Sequence, residues 1–344
     1  MWQNFCLKGV YKYGSSNFLT NKGYIQPFRT FKKINRSRVS TPGPPAEAKK
    51  GSLVPTPFEG IRAETGPIHS SSIKKATAFT IAFSVGSFCG ASIWEYENIR
   101  SRLVNRAKTF NSIFRNGQRK VQNFKNDFEY WWNSLPKGDR VFAPILVLNL
   151  IVFGLWRIPR YQPMMVKYFC SNPAARAVCW PMILSTFSHY SLFHIFANMY
   201  VLHSFSNIAV ASLGKEQFLG LYLSAGVISS LASYIFKAAC NQPGLSLGAS
   251  GAIMAILSFV CFEYPDTRLS ILFIPMYTFS AAAAIKTIIC FDLAGVLLRW
   301  KFFDHAAHLG GALFGMFWSF YGRNVVWPKR EPLVRYYHQM RSSK

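Results

Sequence analysis

The chain is 344 residues long and half hydrophobic, yet it carries 39 Lys and Arg against 14 Asp and Glu, a formal net charge of +25. Nucleic-acid binding would need that charge gathered on one folded surface, whereas here it lies at the N-terminus and between long apolar blocks, the pattern of a membrane protein. The seven cysteines (Cys6, Cys89, Cys170, Cys179, Cys240, Cys261, Cys290) form no CxxC pair and no metal-ligand spacing, so neither a disulfide framework nor a zinc site is expected.

Residues 1–46 contain no acidic side chain, while Lys8, Lys12, Lys22, Arg29, Lys32, Lys33, Arg36 and Arg38 are spread among Ser, Thr, Asn and aromatic residues. This is the composition of a mitochondrial presequence. Pro42, Pro44, Pro45, Pro55 and Pro57 then mark a linker that cannot sustain a helix, so presequence and linker together account for residues 1–57. Residues 58–94 carry the first spanning helix, expected over 76–94, with Gly86 and Gly90 as a GxxxG face for docking on neighbours. A basic, polar, helix-compatible connection fills 95–140, and Trp131 and Trp132 near its end suit the membrane interface.

Apolar blocks then follow quickly at 141–156, 192–210, 218–236, 250–262, 277–298 and 306–321, with an interface-lying connection at 159–180 and a basic, aromatic tail at 322–344. The expected architecture is an all-α, polytopic membrane protein: a six-helix core over 141–321 plus one extra N-terminal transmembrane helix. The block at 250–262 is too short to cross unaided, so its start must be sunk below the surface and sheltered by protein, where irregular backbone lines a water-filled cavity.

Polar residues inside such blocks are expensive and are functional candidates by default. Three clusters stand out: His194 and Asn198 at i, i+4, preceded by His189; Ser250 among the small residues Gly248, Ala249, Gly251 and Ala252; and His305 and His308, followed by Gly310, Gly311 and Gly315. Each alone has a bland account as packing or a satisfied core group. Together they supply a hydroxyl nucleophile, a histidine base and donors for an oxyanion. Gly248 and Gly251 allow a tight turn beside Ser250, and Gly311 and Gly315 let the last helix approach closely. A soluble-hydrolase GxSxG elbow is excluded, because the spacing is wrong and no strand precedes it.

The run Leu247-Gly248-Ala249-Ser250-Gly251-Ala252, the His194/Asn198 pair and the run Ala307-His308-Leu309-Gly310-Gly311, in this order, resemble the rhomboid intramembrane serine proteases. The segments Leu184-Ser185-Thr186-Phe187-Ser188-His189 and Lys301-Phe302-Phe303-Asp304-His305-Ala306-Ala307-His308 resemble the mitochondrial, presenilin-associated rhomboid-like branch. The resemblance implies a dyad with Ser250 as nucleophile and His308 as base, an oxyanion hole of His194, Asn198 and the Ser250 amide, and His189 lining the cavity. It also implies a multi-pass protein of the inner mitochondrial membrane that cleaves single-pass transmembrane substrates within the lipid bilayer, without metal or cofactor, in organelle protein processing and quality control.

The chain departs from many bacterial relatives at Met254, where they place a tyrosine that stacks on the catalytic histidine, and in lacking their acidic motif near Gly214 and Glu216. What orients His308 is therefore open. Asp304, four residues before His308, is weighed as an orienting carboxylate and read as a loop-end residue, since the family uses a dyad; His305 is read as a loop or supporting residue. Lys286 and Asp292, six apart, share no helix face and are assigned structural roles. A transporter using intramembrane His and Asn residues is the rival reading, but no internal repeat is visible. A metal site built from His189, His194, His305 and His308 lacks HExxH spacing, no nucleic-acid partner is expected, and the oligomeric state is left open.

Overall fold

The computed structural model describes residues 53–55, 62–64, 66–113, 124–271 and 274–343; the expected presequence and most of the linker lie outside them. Eleven α-helices occur among the described residues: α1 (Ser70–Ile113), α2 (Phe124–Ser134), α3 (Lys137–Leu155), α4 (Gln162–Phe169), α5 (Cys179–Leu184), α6 (Leu192–Leu213), α7 (Lys215–Ala239), α8 (Ser250–Glu263), α9 (Ala281–Leu297), α10 (His305–Phe317) and α11 (Glu331–Ser342). Two short antiparallel ribbons accompany them, β1 (Leu53–Pro55) with β2 (Arg62–Glu64) and β3 (Arg268–Ile271) with β4 (Ile274–Ser280). The first ribbon pairs a stretch expected to be linker; Pro55 closes its strand, where a missing amide is tolerated.

By length and composition, the segments Ser70–Arg106, Lys137–Leu155 and Lys215–Ala239 can cross a membrane. Helix α1 is longer than the apolar block that starts it, because no Pro or Gly lies between Gly90 and Gly117 to stop it. Its docking face differs from the expected one. Gly86 and Gly90 face open space, and Phe88 instead stacks on Trp318 with ring centroids 4.1 Å apart, while Phe88 and Ala91 fill the notch left by Gly220 of α7. At 100° per residue Phe88 lies far round the helix from Gly86, and an aromatic ring in a glycine notch offers more dispersion contact than a bare glycine stripe. Glu216, at the start of α7, accepts from the Asn98 side chain at 2.6 Å, and Arg330 pairs with Glu95 at 2.8 Å, tying α1 to both the core and the C-terminal segment.

The block expected to begin at 277 starts its helix only at Ala281. Met276 to Phe279 belong to β4, and the Ser280 hydroxyl caps α9 by accepting from the Ala283 amide at 3.1 Å. Within the connection expected at 159–180, Met165 and Val166 of α4 are buried while Tyr161, Met164 and Trp180 are exposed.

Helix α8 occupies the centre. Ten of its 14 residues are buried, so it is surrounded rather than lipid-facing on one side. At 1.5 Å per residue it is about 21 Å long, well short of a hydrocarbon core. Lipid-like exposure falls instead on α3, where Val147, Leu148, Leu150 and Ile151 point outward. Glycines bring α10 onto α8: a Cβ on Gly311 would land on the Gly251 carbonyl oxygen, and one on Gly315 would land on the Ala255 carbonyl.

Candidate active site

The backbone before α8 is irregular, and its polar groups are satisfied one by one. Ser246 exchanges two backbone hydrogen bonds with Ser171 (2.7 and 2.9 Å), the Gly248 amide donates to the Ser185 carbonyl (2.9 Å), and the Ala249 amide donates to His189 Nε2 (3.3 Å). Such accounting is what non-helical backbone at membrane depth requires. Gly248 has φ +129°, a conformation closed to residues with a Cβ, and it delivers the chain into α8 at Ser250. As the first residue of the helix, Ser250 holds one of the four backbone amides that no helical carbonyl can reach.

Ser250 Oγ lies 2.8 Å from His308 Nε2, across 58 residues of sequence. His308 is placed by the first turn of α10, which Asp304 caps by accepting from the Ala307 amide at 3.1 Å. The other Asp304 oxygen accepts from the Ser233 and Ser246 hydroxyls and pairs with Lys237 at 3.4 Å. Burial pushes the Asp304 carboxyl up, but Lys237, the two hydroxyls and the Ala307 amide outweigh it and hold the group at about 2. Asp304 is thus committed to joining α7, the loop before α8 and α10. It does not orient the His308 ring, because a cap points its side chain at the helix end rather than along the helix to i+4.

A different carboxylate reaches that ring. Asp292 of α9 has Oδ1 3.3 Å from His308 Nδ1 and 2.7 Å from His305 Nδ1, and its side chain is only 2% exposed. Sequence reasoning set Asp292 aside because it does not pair with Lys286. The usable signal was the spacing of Ala281, Ile285, Asp292 and Gly295, a helical seam that is buried throughout, while Lys286 faces out. Met254 packs beside the cluster of Leu257, Cys261, Ala281 and Ile285 towards α9. The aromatic ring near His308 is Phe303, with centroids 6.1 Å apart.

His194 and Asn198 belong to α6, whose N-cap is Ser191; His194 lines the cavity with Ser250, whereas Asn198 is not among the residues that line it. The His194 ring lies directly over Gly248, where a Cβ would come within 2.8 Å of it. Asn198 Nδ2 donates to the His194 carbonyl at 2.8 Å, which leaves its second proton free. His189 departs from expectation: it is fully buried and does not line the cavity, because its ring is turned to the Ala249 amide and packs edge-on to His194 at 4.8 Å. Ser250, His308 and His194 line a cavity of about 920 Å³, together with Tyr190, Leu247 and Phe303. Such a site can deprotonate a hydroxyl, admit an extended chain and place donors near a developing oxyanion. Among the described residues no group of three or more His, Cys, Asp or Glu is arranged to hold a metal ion.

Comparison with known proteins places these residues in context. The Rhomboid domain family model matches residues 176–325. The chain is 47% identical over 328 residues to the human presenilin-associated rhomboid-like protein, mitochondrial, covering 93% of this chain and 86% of that protein. It is 40% identical over 333 residues to presenilin-associated rhomboid-like protein A, mitochondrial, of Danio rerio, covering 87% and 85%. It is 33% identical over 203 residues to Rhomboid protein 1, mitochondrial, of Saccharomyces cerevisiae, covering 58% of each.

Proposed function

The chain belongs to the rhomboid family of intramembrane serine proteases, and on that premise we propose that Ser250 and His308 are the catalytic pair with which it cuts single-pass proteins of the inner mitochondrial membrane. The observation that carries this reading is the 2.8 Å contact between Ser250 Oγ and His308 Nε2 on the wall of the cavity. The mitochondrial names of the relatives and the apolar helices support a membrane protein of that organelle.

In the reaction we propose, His308 Nε2 takes the Ser250 proton as Oγ attacks the scissile carbonyl carbon, and the carbonyl oxygen becomes an oxyanion. The unpaired Ser250 amide at the start of α8, His194 and the free proton of Asn198 are the donors around it. His308 then protonates the leaving amine, the C–N bond breaks, and an acyl ester remains on Oγ. Water entering by the cavity attacks that ester, gives its proton to His308, and the proton returns to Oγ. The short α8 matters because a full-length helix would carry Ser250 to the membrane surface and away from a spanning substrate.

Purified full-length protein in liposomes is expected to cleave a single-span substrate and to react with a fluorophosphonate at Ser250. Ser250→Ala should abolish both while leaving the thermal midpoint unchanged. Undiminished cleavage by that variant would overturn the reading.

A further inference from the structure

We propose that Asp292 is the positioning residue of the site, holding His308 through its Nδ1 so that this chain works with a Ser250–His308–Asp292 relay and not with two residues alone. The inference rests on the assignment of Ser250 and His308 above. Asp292 Oδ1 is 3.3 Å from His308 Nδ1, and His308 Nε2 is 2.8 Å from Ser250 Oγ, so the three groups form one line of hydrogen bonds through the imidazole. A carboxylate can only accept here. It therefore fixes the His308 proton on Nδ1 and leaves the Nε2 lone pair facing the hydroxyl.

The surroundings are built around that carboxylate. Asp292 is buried in the seam of a bundle helix, a costly location for a charge and one that calls for partners. Among the described residues its only hydrogen-bond partners are the two histidines, both on Oδ1, while Oδ2 has none. His305 donates from Nδ1 at the shorter distance, 2.7 Å, and so pins the carboxylate rotamer that presents Oδ1 to His308. Gly295, one turn beyond Asp292, clears the space for the His305 ring, where a Cβ would strike it. Phe291, Trp300, Phe302 and Phe303 close round that ring with centroids 5.2 to 5.9 Å away, and the His305 and Asp292 side chains are each only 2% exposed. When His308 gains a proton during the reaction, the resulting cation lies beside a carboxylate that is only 2% exposed, where the attraction is stronger than in bulk water. With Met254 packed towards α9, Asp292 and Phe303 take over the orientation of His308.

The test uses full-length protein in liposomes, with a transmembrane peptide substrate, fluorophosphonate titration to count competent sites, and wild type, Asp292→Asn, Asp292→Glu and His305→Phe. Asp292→Asn should lower kcat per titrated site about a hundredfold with KM unchanged, and Asp292→Glu should restore at least about tenfold of that loss. His305→Phe should lower kcat about tenfold by releasing the carboxylate, and it decides the question alone if Asp292→Asn does not fold. A kcat per site within threefold of wild type in Asp292→Asn, a change in KM only, or an unaltered kcat in His305→Phe would overturn the relay. Wild-type protein that fails to label at Ser250 would instead sink the assignment of the nucleophile, a separate outcome.

Discussion

Gly311→Ala isolates the fit between α8 and α10. A Cβ at Gly311 would lie 2.0 Å from the Gly251 carbonyl oxygen, so the two helices must part by about 1.4 Å to restore an ordinary van der Waals separation. The obstructing atom belongs to the backbone of a buried helix and cannot swing aside. Overpacking of this kind costs about 1–3 kcal/mol, and the better helix propensity of alanine returns about 1 kcal/mol, leaving a net loss of about 0–2 kcal/mol. Function should suffer more than stability. His308 is carried one turn before Gly311 on α10, so parting the helices stretches the 2.8 Å contact to Ser250 Oγ beyond hydrogen-bond range. A misplacement of that size costs about a hundredfold in kcat. The assay is cleavage of a transmembrane substrate in liposomes, normalised to folded protein by tryptophan-monitored thermal unfolding in detergent. Wild-type kcat and an unchanged thermal midpoint in Gly311→Ala would refute the claim that glycine contact sets the distance between His308 and Ser250.

Gly248→Ala should also inactivate, because it forces an L side chain to φ +129° and drives a methyl group into the His194 ring. The backbone strain alone is of order 1–3 kcal/mol; rapid fluorophosphonate labelling of this variant at the wild-type rate would count against it. The Asp304 network predicts acid sensitivity with a definite sign. Its carboxyl is held at about 2 against an ordinary 3.8, so its contribution is complete above about pH 4 and is lost as pH falls towards 2. That contribution is at most about 2 kcal/mol. The thermal midpoint should drop over this window, and Asp304→Asn should remove most of the drop; an equal drop in the variant would exclude Asp304 as its source.

Much of the candidate site was legible in the sequence, for one physical reason. Polar groups are so costly within apolar blocks that Ser250, His194, Asn198 and His308 stand out against their neighbours, and the short block at 250–262 announces that its start is sheltered. The all-α, multi-span architecture follows from the same block pattern. Less legible were features that depend on which way a helix is turned. Gly86 and Gly90 share a face by spacing, but that face looks outward. His189 sits beside the cavity in sequence order, but its ring is used up on the Ala249 amide.

The two aspartates mark the division most clearly. Local spacing drew attention to Asp304, four residues from His308, whereas the group touching His308 Nδ1 is Asp292, sixteen residues away on another helix. Composition and spacing by themselves determined that this is a membrane protein with a serine, histidines and an asparagine sunk in its apolar blocks. Only the tertiary structure decided which carboxylate meets which ring, because that depends on the rotation of α9 and on α10 closing over Gly251 and Ala255, and neither is encoded in the period of any one helix.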